Sequence, residues 1–149
     1  MSDNPATSGP VCVLGFDVGA RRIGVAVGNT LSQTARALSV IDVAESGLDW
    51  HRIQNIVKEW RPDRLLVGEP LTLDGKTQPA THRARRFAHE LAGHTGVTVE
   101  LVDERSSSVE ADQRFAQRRR SGEARRRDAA SLDAVAAEII VERWLQQTA

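Results

Sequence analysis

The sequence lacks the features of secreted, disulfide-bonded and membrane-spanning proteins. Its one cysteine, Cys12, cannot form an internal disulfide or a thiolate metal site, and the apolar run around it predicts a buried thiol. No apolar run approaches the ~18–20 residues that a membrane span needs. Residues 1–10 have neither the basic nor the apolar region of a secretory signal. We therefore expect a cytoplasmic protein with no membrane partner, in which residues 1–10 are a disordered lead and residues 11–149 form one domain.

Aromatic residues and lysine are also scarce. The chain has no tyrosine, three tryptophans and three phenylalanines, which argues against an RNA-binding surface built on base stacking. Eighteen of the twenty basic residues are arginine, whose planar donors match phosphate oxygens. The net charge is zero, but residues 61–127 carry fourteen basic and ten acidic groups. If the partner is a nucleic acid, we expect recognition of its shape and backbone more than of its bases.

The hydrophobic pattern changes its period along the chain. Three segments with strand-like spacing come first, and helical and strand-like segments then alternate. The pattern predicts strands over 11–16, 23–27, 35–43, 65–67 and 97–102, and helices over 48–60, 78–94, 107–119 and 132–146. Such an order predicts an α/β protein of RNase H-like architecture, a mixed five-stranded sheet with flanking helices. In such sheets the functional site lies at the carboxyl ends of the parallel strands.

Three acidic residues are expected at that edge. Asp17 ends the first strand, Glu104 ends the last strand, and Asp133 begins the last helix. Asp133 shares a helix face with the apolar Ala137 and Ile140, whereas the other acids of this helix fall on other sides. Taken singly, Asp17 could be a turn residue, and Glu104 and Asp133 could stabilise helix N-termini. A carboxylate directed at a sheet, however, needs a partner or a cation.

Carboxylates that converge on one point repel one another and favour a divalent cation. Oxygen ligands without cysteine select Mg²⁺ or Mn²⁺ over Zn²⁺. Two such ions, roughly 3.5–4 Å apart, are the arrangement that hydrolyses phosphodiesters. The sequence therefore predicts a metal-dependent nuclease with Asp17, Glu104 and Asp133 as catalytic residues and metal ligands.

Four sequence blocks stand in order along the chain: GFDVGARRIGVAV at 15–27, VGEPLTLDG at 67–75, VDERSSSVEA at 102–111 and LDAVAAEII at 132–140. Together they resemble the motifs of the YqgF (RuvX) family over about residues 11–146. The resemblance implies an RNase H-like nuclease that matures the 5′ end of 16S ribosomal RNA precursors or resolves Holliday junctions. Matched motif by motif, the family's acids correspond to Asp17, Glu104 and Asp133.

The chain departs from the family pattern at two places. Glu69 stands where the family usually has leucine, at the end of the fourth strand, and Ser106 replaces another leucine. Glu69 is either a fourth metal ligand or a solvated acid. Ser106 affects local packing more than the proposed chemistry.

Several arginines are candidates for binding nucleic acid. Arg21 and Arg22 are close to Asp17 in sequence, and Arg105 follows Glu104, so each could hold a phosphate near the metals; Arg105 could instead pair with an acid. Seven arginines lie between residues 114 and 127, a density that favours phosphate binding weakened by salt, unless the segment is only a solvated loop. Six of them complete the predicted interface: Arg118, Arg119, Arg120, Arg125, Arg126 and Arg127.

These observations favour an endonuclease that hydrolyses phosphodiester bonds of structured RNA. We expect a 16S rRNA precursor as its substrate and ribosomal particles as further partners. The protein would be a monomer or a homodimer. One alternative is a DNA junction resolvase, which should be a dimer with paired sites. Another is a non-catalytic ribosome-assembly factor that binds nucleic acid and keeps the acids as remnants. A fragment of a sugar or acyl kinase also fits Gly-x-Asp-x-Gly at residues 15–19, but the chain is short for that fold.

Overall fold

The computed structural model describes residue 9, residues 11–105, residue 113 and residues 132–148. The predicted helix over 107–119 lies outside these residues apart from Gln113, and so does the whole run 118–127. The elements are β1 (Cys12–Val18), β2 (Arg22–Asn29), β3 (Thr34–Asp42), α1 (Trp50–Trp60), β4 (Arg64–Glu69), α2 (Pro79–Thr95), β5 (Val99–Asp103) and α3 (Leu132–Thr148).

The five strands form one mixed sheet in the order β3-β2-β1-β4-β5. β1, β2 and β3 are an antiparallel meander, and β4 and β5 continue the sheet in parallel to β1. The expected meander and the expected parallel half are therefore both confirmed. The carboxyl ends of β1, β4 and β5 lie at one edge of the sheet, where β2 begins and β3 ends.

Local signals set the ends of the helices. α1 begins after Asp49, whose carboxylate accepts a hydrogen bond from the Arg52 backbone N–H at 3.1 Å. α1 ends at Arg61, which adopts the left-handed conformation directly before Pro62. α2 has Pro79 in its first turn and ends at Gly96, again left-handed. Both helices lie within one or two residues of the bounds that the sequence predicts.

Each face of the sheet carries its own hydrophobic core. Alternate residues such as Phe16 and Val25 pack against α1 and α2 in the larger cluster. The residues between them, such as Val13 and Ala26, pack against α3 in the smaller cluster. Strand alternation thus assigns every residue of β1, β2 and β4 to either the α1/α2 face or the α3 face.

α3 lies in a shallow groove that glycines create on the sheet. A Cβ atom on Gly15 or Gly28 would overlap the side chain of Val141, and one on Gly68 would lie 2.5 Å from Ile140 Cδ1. Close backbone approach of this kind is a common reason for glycine within a strand. Gly15 therefore leaves room for α3.

α3 is buried on more than the face that carries Asp133. Glu138 is only 6% exposed, and its carboxylate accepts a hydrogen bond from the Ala37 backbone N–H at 3.1 Å. Ala37 lies directly before the irregularity where the pairing of β2 with β3 shifts register. Glu138 therefore binds the edge of the sheet.

The structure also bears on the single cysteine and on the possibility of a membrane span. Cys12 is half-buried, and its thiol lies 3.6 Å from the Trp60 carbonyl oxygen as a weak hydrogen-bond donor. In the part of the chain that the structure describes, no helix has the length and apolar character needed to cross a membrane.

Candidate active site

Asp17 is flanked by glycines on both neighbouring strands. On one side, Asp17 pairs with Gly24 of β2. On the other side, the last pair between β1 and β4 is Phe16 with Val67, so the next residues, Asp17 and Gly68, lie side by side. Asp17 and both glycines belong to the α3 face of the sheet. Because neither neighbour has a side chain, there is room above the sheet on each side of the Asp17 carboxylate.

Asp133 occupies the space above Gly24. A Cβ atom on Gly24 would overlap the backbone carbonyl of Asp133, so the first turn of α3 rests directly on the β2 backbone. The Asp133 side chain is 31% exposed and forms an ion pair with Arg22, with Arg22 Nε 3.0 Å from Asp133 Oδ2. The charge of Asp133 also acts on Asp17.

Glu104 occupies the space above Gly68. A Cβ atom on Gly68 would lie 2.7 Å from the carboxyl carbon of Glu104 and 2.8 Å from its Oε2. Glu104 is 7% exposed and follows β5 directly, and its backbone N–H donates to the Glu69 carbonyl at 3.2 Å. Its carboxyl group is hydrogen-bonded to that of Asp17. The two strand ends therefore bring these two acids into contact.

Arg143 of α3 holds the backbone on both sides of Glu104. Its Nη1 donates to the Arg105 carbonyl oxygen at 2.8 Å and to the Asp103 carbonyl oxygen at 3.4 Å. No pattern in the sequence marks Arg143, because only the folded chain brings residue 143 to the end of β5. Arg143 couples the position of Glu104 to the helix that carries Asp133.

The electrostatics of the cluster fit crowded carboxylates. Burial raises the pKa of Asp17 from its ordinary value of 3.8 to about 6, while the hydrogen bond with Glu104 lowers this pKa and the charge of Asp133 raises it. A hydrogen bond between two carboxyl groups requires a proton on one of them. Burial is therefore the main reason that Asp17 resists ionisation, and the charge of Asp133 adds to it.

The donor set suits a hard divalent cation. It consists of carboxylate oxygens from Asp17, Glu104 and Asp133, the ligand type that Mg²⁺ and Mn²⁺ prefer. Among the described residues, however, no group of three acidic, histidine or cysteine side chains already stands close enough to hold a metal ion. Asp133 is engaged by Arg22 instead, so a cation would compete with that guanidinium for the third carboxylate.

Glu69 is directed away from the three acids. Leu65 and Val67 of the same strand pack on the α1/α2 face, and Glu69 continues that alternation. Its Oε2 lies 2.6 Å from Nε of Arg85 on α2, and its side chain is 17% exposed. The geometry therefore favours neither alternative from the sequence: Glu69 is ion-paired and mostly buried, on the other face from Asp17.

The candidate phosphate-binding arginines near the site differ in their surroundings. Arg21 is exposed in the turn between β1 and β2, and Arg22 binds Asp133. Arg105 pairs with Asp103, with Nε 3.0 Å from Oδ2, and donates from Nη1 to the Leu73 carbonyl at 3.2 Å. Arg105 therefore ties the loop after β4 to the end of β5; the ion pair with Asp103 is one of the two alternatives that the sequence leaves open for this residue. The arginines at 118–120 and 125–127 lie outside the described residues.

Comparison with known proteins identifies close relatives. A family model described as RuvX, Holliday junction resolvase, matches residues 11–147. A protein of Xanthomonas oryzae pv. oryzae (strain PXO99A) named "Putative pre-16S rRNA nuclease" is 62% identical over 133 residues, which are 89% of this chain and 86% of that protein. A protein of the same name from Xanthomonas axonopodis pv. citri (strain 306) is 60% identical over the same shares.

Solved structures share the architecture at low sequence identity. Thermus thermophilus RuvC in complex with a Holliday junction substrate superposes with a TM-score of 0.56 at 18% identity, covering 93% of this chain and 95% of that one. The Fowlpox virus resolvase in complex with Holliday junction DNA gives 0.56 at 9% identity, covering 93% and 99%. The expected RNase H-like fold is therefore confirmed.

Proposed function

Because the chain belongs to the RuvX family, we propose that it is a metal-dependent endonuclease that hydrolyses phosphodiester bonds of a 16S ribosomal RNA precursor. The convergence of Asp17, Glu104 and Asp133 at the carboxyl edge of the sheet is the observation that carries the proposal. Relatives at about 60% identity bear the pre-16S rRNA nuclease name, which favours this substrate over DNA. Such a substrate would be met in the cytoplasm, on ribosomal particles.

Some residues of the site would bind the metal ions and the phosphate, and others would position those residues. Asp17, Glu104 and Asp133 would hold Mg²⁺ or Mn²⁺ as two ions. When bound, the ions would supply positive charge near the scissile phosphate and lower the pKa of a nearby water. Arg22, whose side chain is 49% exposed, would turn from Asp133 to a non-bridging phosphate oxygen. Arg143 would keep Glu104 in place through the neighbouring carbonyls.

The reaction is an in-line displacement at phosphorus. A water oxygen forms the new P–O bond, the bond to the leaving ribose oxygen breaks, and the proton of the water is lost to solvent while the leaving oxygen gains one. Burial of Glu104 limits the water that reaches this carboxylate, whereas the Asp133 side chain is 31% exposed. The protein's part is to fix the carboxylates and the phosphate before the reaction.

A cleavage assay on a labelled 16S precursor fragment tests the proposal. We expect Mg²⁺-dependent cleavage near the mature 5′ end, and loss of cleavage in Asp17→Asn, Glu104→Gln and Asp133→Asn. Loss of a ligand should exceed the ~10–100-fold cost of losing an outer-shell partner. Glu59→Gln removes a charge from an exposed position of α1 and should cleave like the wild type. Cleavage by any of the three acid variants at the wild-type rate would contradict the assignment of that acid.

The description of the family favours one second function, resolution of Holliday junctions. A four-way DNA junction in the same assay distinguishes the two. A resolvase would be a dimer in solution and would make paired, symmetric nicks. A non-catalytic assembly factor would bind the precursor without cleaving either substrate, and the three acid variants would then bind and behave like the wild type.

A further inference from the structure

A cavity lies at the same edge of the sheet as the three acids but on the other face, the one that packs against α1 and α2. It has a volume of about 440 Å³. Its walls come from the end of β1 at Val18, the turn after it, and the loop that leads from β3 to α1, including Ser46 and Gly47. Ligand sites usually measure about 300–1,000 Å³, so the cavity is large enough for a small molecule.

The floor of the cavity is apolar. Ile23 of β2, Leu48, Trp50 and Phe87 of α2 line it. Trp50 and Phe87 are stacked, with ring centroids 5.5 Å apart and planes inclined by 15°. A flat, apolar group entering here would replace water over an apolar surface, which favours binding.

The rim of the cavity is charged, and its two arginines have no ion-pair partner among the described residues. Arg83 and Arg86 line it from α2, together with Glu90. Across the described part of the chain, neither guanidinium forms an ion pair. Arg85 on the same helix differs, because it forms an ion pair with Glu69. Two guanidinium groups beside an apolar floor are complementary to an anion attached to a flat apolar body.

We propose that this cavity binds one nucleotide of the substrate strand, next to the phosphate that is cleaved. The base would lie on the apolar floor, and Arg83 and Arg86 would bind its phosphate through charge-assisted hydrogen bonds. The proposal rests on the proposed nuclease function, since it places this nucleotide on the same strand as the scissile phosphate.

The distance from the acids is compatible with this arrangement. Ala20, in the wall of the cavity, is three residues from Asp17, so their Cα atoms are at most about 11 Å apart. A strand that crosses the edge of the sheet would therefore reach the acids on one face and the cavity on the other. One base in a cavity also agrees with the scarcity of aromatic residues, which excludes an extended stacking surface but not a single pocket.

Titration of the ¹⁵N-labelled full chain with uridine 5′-monophosphate, in EDTA, tests the proposal independently of cleavage. EDTA keeps divalent cations from recruiting the phosphate to the acids. We expect saturable amide shifts at Gly19, Ala20, Ser46 and Gly47, and weaker binding of inorganic phosphate or of uridine alone. Absence of these shifts would overturn the proposal, and so would inorganic phosphate binding as tightly as the nucleotide.

Charge-matched variants sharpen the test. Arg86→Ala should weaken binding of the mononucleotide by about tenfold, the effect of one hydrogen bond to a charged group. Arg85→Ala removes the same charge from the same helix outside the cavity and should bind like the wild type. Equal losses in both variants would mean that only the overall charge matters, and the assigned cavity would be wrong.

A plug variant tests the space itself. Ser46→Phe fills the mouth of the cavity without changing the charge, whereas Ala44→Phe adds the same ring to an exposed position of the same loop outside the cavity wall. Only the first should abolish the shifts and weaken binding of the RNA precursor. If the wild type does not cleave the precursor but the mononucleotide titrates as expected, the proposed function fails and the cavity assignment stands. If the wild type cleaves but the mononucleotide causes no shifts, the cavity assignment alone is overturned.

Discussion

The backbone carbonyl of Asp133 lies where a side chain of residue 24 would project, so Gly24 determines how closely the helix that carries this acid can approach the sheet. Gly24 is also the β2 residue paired with Asp17. One missing side chain therefore brings the two acids, 116 positions apart in the chain, to the same place.

Gly24→Ala should separate Asp133 from Asp17 and destabilise the protein. The added methyl group meets backbone, which cannot rotate away, and overpacking of this kind costs ~1–3 kcal/mol or more. We expect a lower urea midpoint for unfolding and loss of cleavage at temperatures where the variant is still folded. Wild-type cleavage by a folded Gly24→Ala protein would show that α3 need not rest on β2.

Gly93→Ala is the matched control. Gly93 lies within α2, and a Cβ atom there would meet nothing within 4 Å. Alanine in place of glycine inside a helix stabilises by about 0.5–1 kcal/mol. The same chemical change should therefore raise the midpoint of unfolding at one position and lower it at the other.

The contrast between Asp17 and Gly24 shows what could be predicted from the sequence. Hydrophobic runs mark strand ends, and parallel strands share an edge, so the positions of Asp17 and Glu104 follow from local patterns. The role of Gly24 depends on a contact with α3, which no local pattern encodes. A glycine within a strand was the one available signal, because it marks a close backbone approach without naming the neighbour.

Glu69 illustrates a second limit. Alternation along β4 shows that Glu69 lies on the same side as Val67, but only the packing of the helices shows which side of the sheet that is. Its partner Arg85 is on α2, whose rotation about its own axis is fixed by tertiary contacts. Sequence reasoning could therefore recognise an unusual acid at the strand end without finding what it binds.

Asp17→Asn should stabilise the metal-free protein at neutral pH. Burial raises the pKa of Asp17 from 3.8 to about 6, so keeping this group ionised in the folded state costs free energy. Because the side chain is partly exposed, we expect the free energy of unfolding of Asp17→Asn to exceed that of the wild type by about 1–2 kcal/mol at pH 7. Urea unfolding in EDTA measures it.

The pH dependence gives the sign of this effect. Below pH 3.8 Asp17 is protonated in both the folded and the unfolded state, so it does not change the free energy of unfolding with pH. Between pH 3.8 and about 6, Asp17 is protonated in the folded state and ionised in the unfolded state. The stability of the wild type relative to Asp17→Asn should therefore fall as the pH rises through this window and then level off. A difference that does not change with pH would mean that Asp17 is not strained by ionisation.

Glu69→Gln should leave the affinity for Mn²⁺ unchanged, because the Glu69 carboxylate binds Arg85 on the other face of the sheet. Isothermal titration measures the affinity, with Glu104→Gln as the variant expected to lose it. Removing Glu69 should still lower stability by up to ~1 kcal/mol, since the ion pair with Arg85 is lost. A clear fall in Mn²⁺ affinity would return Glu69 to the set of metal ligands.

Arg143→Met should weaken Mn²⁺ binding and cleavage by ~10–100-fold, the range observed when an outer-shell partner is removed. The reason is that Arg143 holds the carbonyls of Asp103 and Arg105, which flank Glu104. Arg143→Lys keeps a donor and should restore part of the affinity. If Arg143→Met lowers only the melting temperature and leaves Mn²⁺ affinity intact, Arg143 is structural and does not position Glu104.

Replacing Arg118, Arg119 and Arg120 with alanine should weaken binding of the RNA precursor and reduce its salt dependence. Each lost phosphate contact lowers the slope of log affinity against log salt by about 0.9 for duplex DNA and by about 0.7 for single strands. We expect an unchanged single-turnover rate at saturating substrate, because phosphate contacts position the strand while the acids and their cations act on the bond. A control triple variant replaces Arg36, Lys58 and Arg61 with alanine and so removes the same charge. Lys58 and Arg61 lie at the end of α1, just before β4 begins, and are therefore near the edge of the sheet opposite the acids. Equal slopes in both triple variants would mean that residues 118–120 make no phosphate contact.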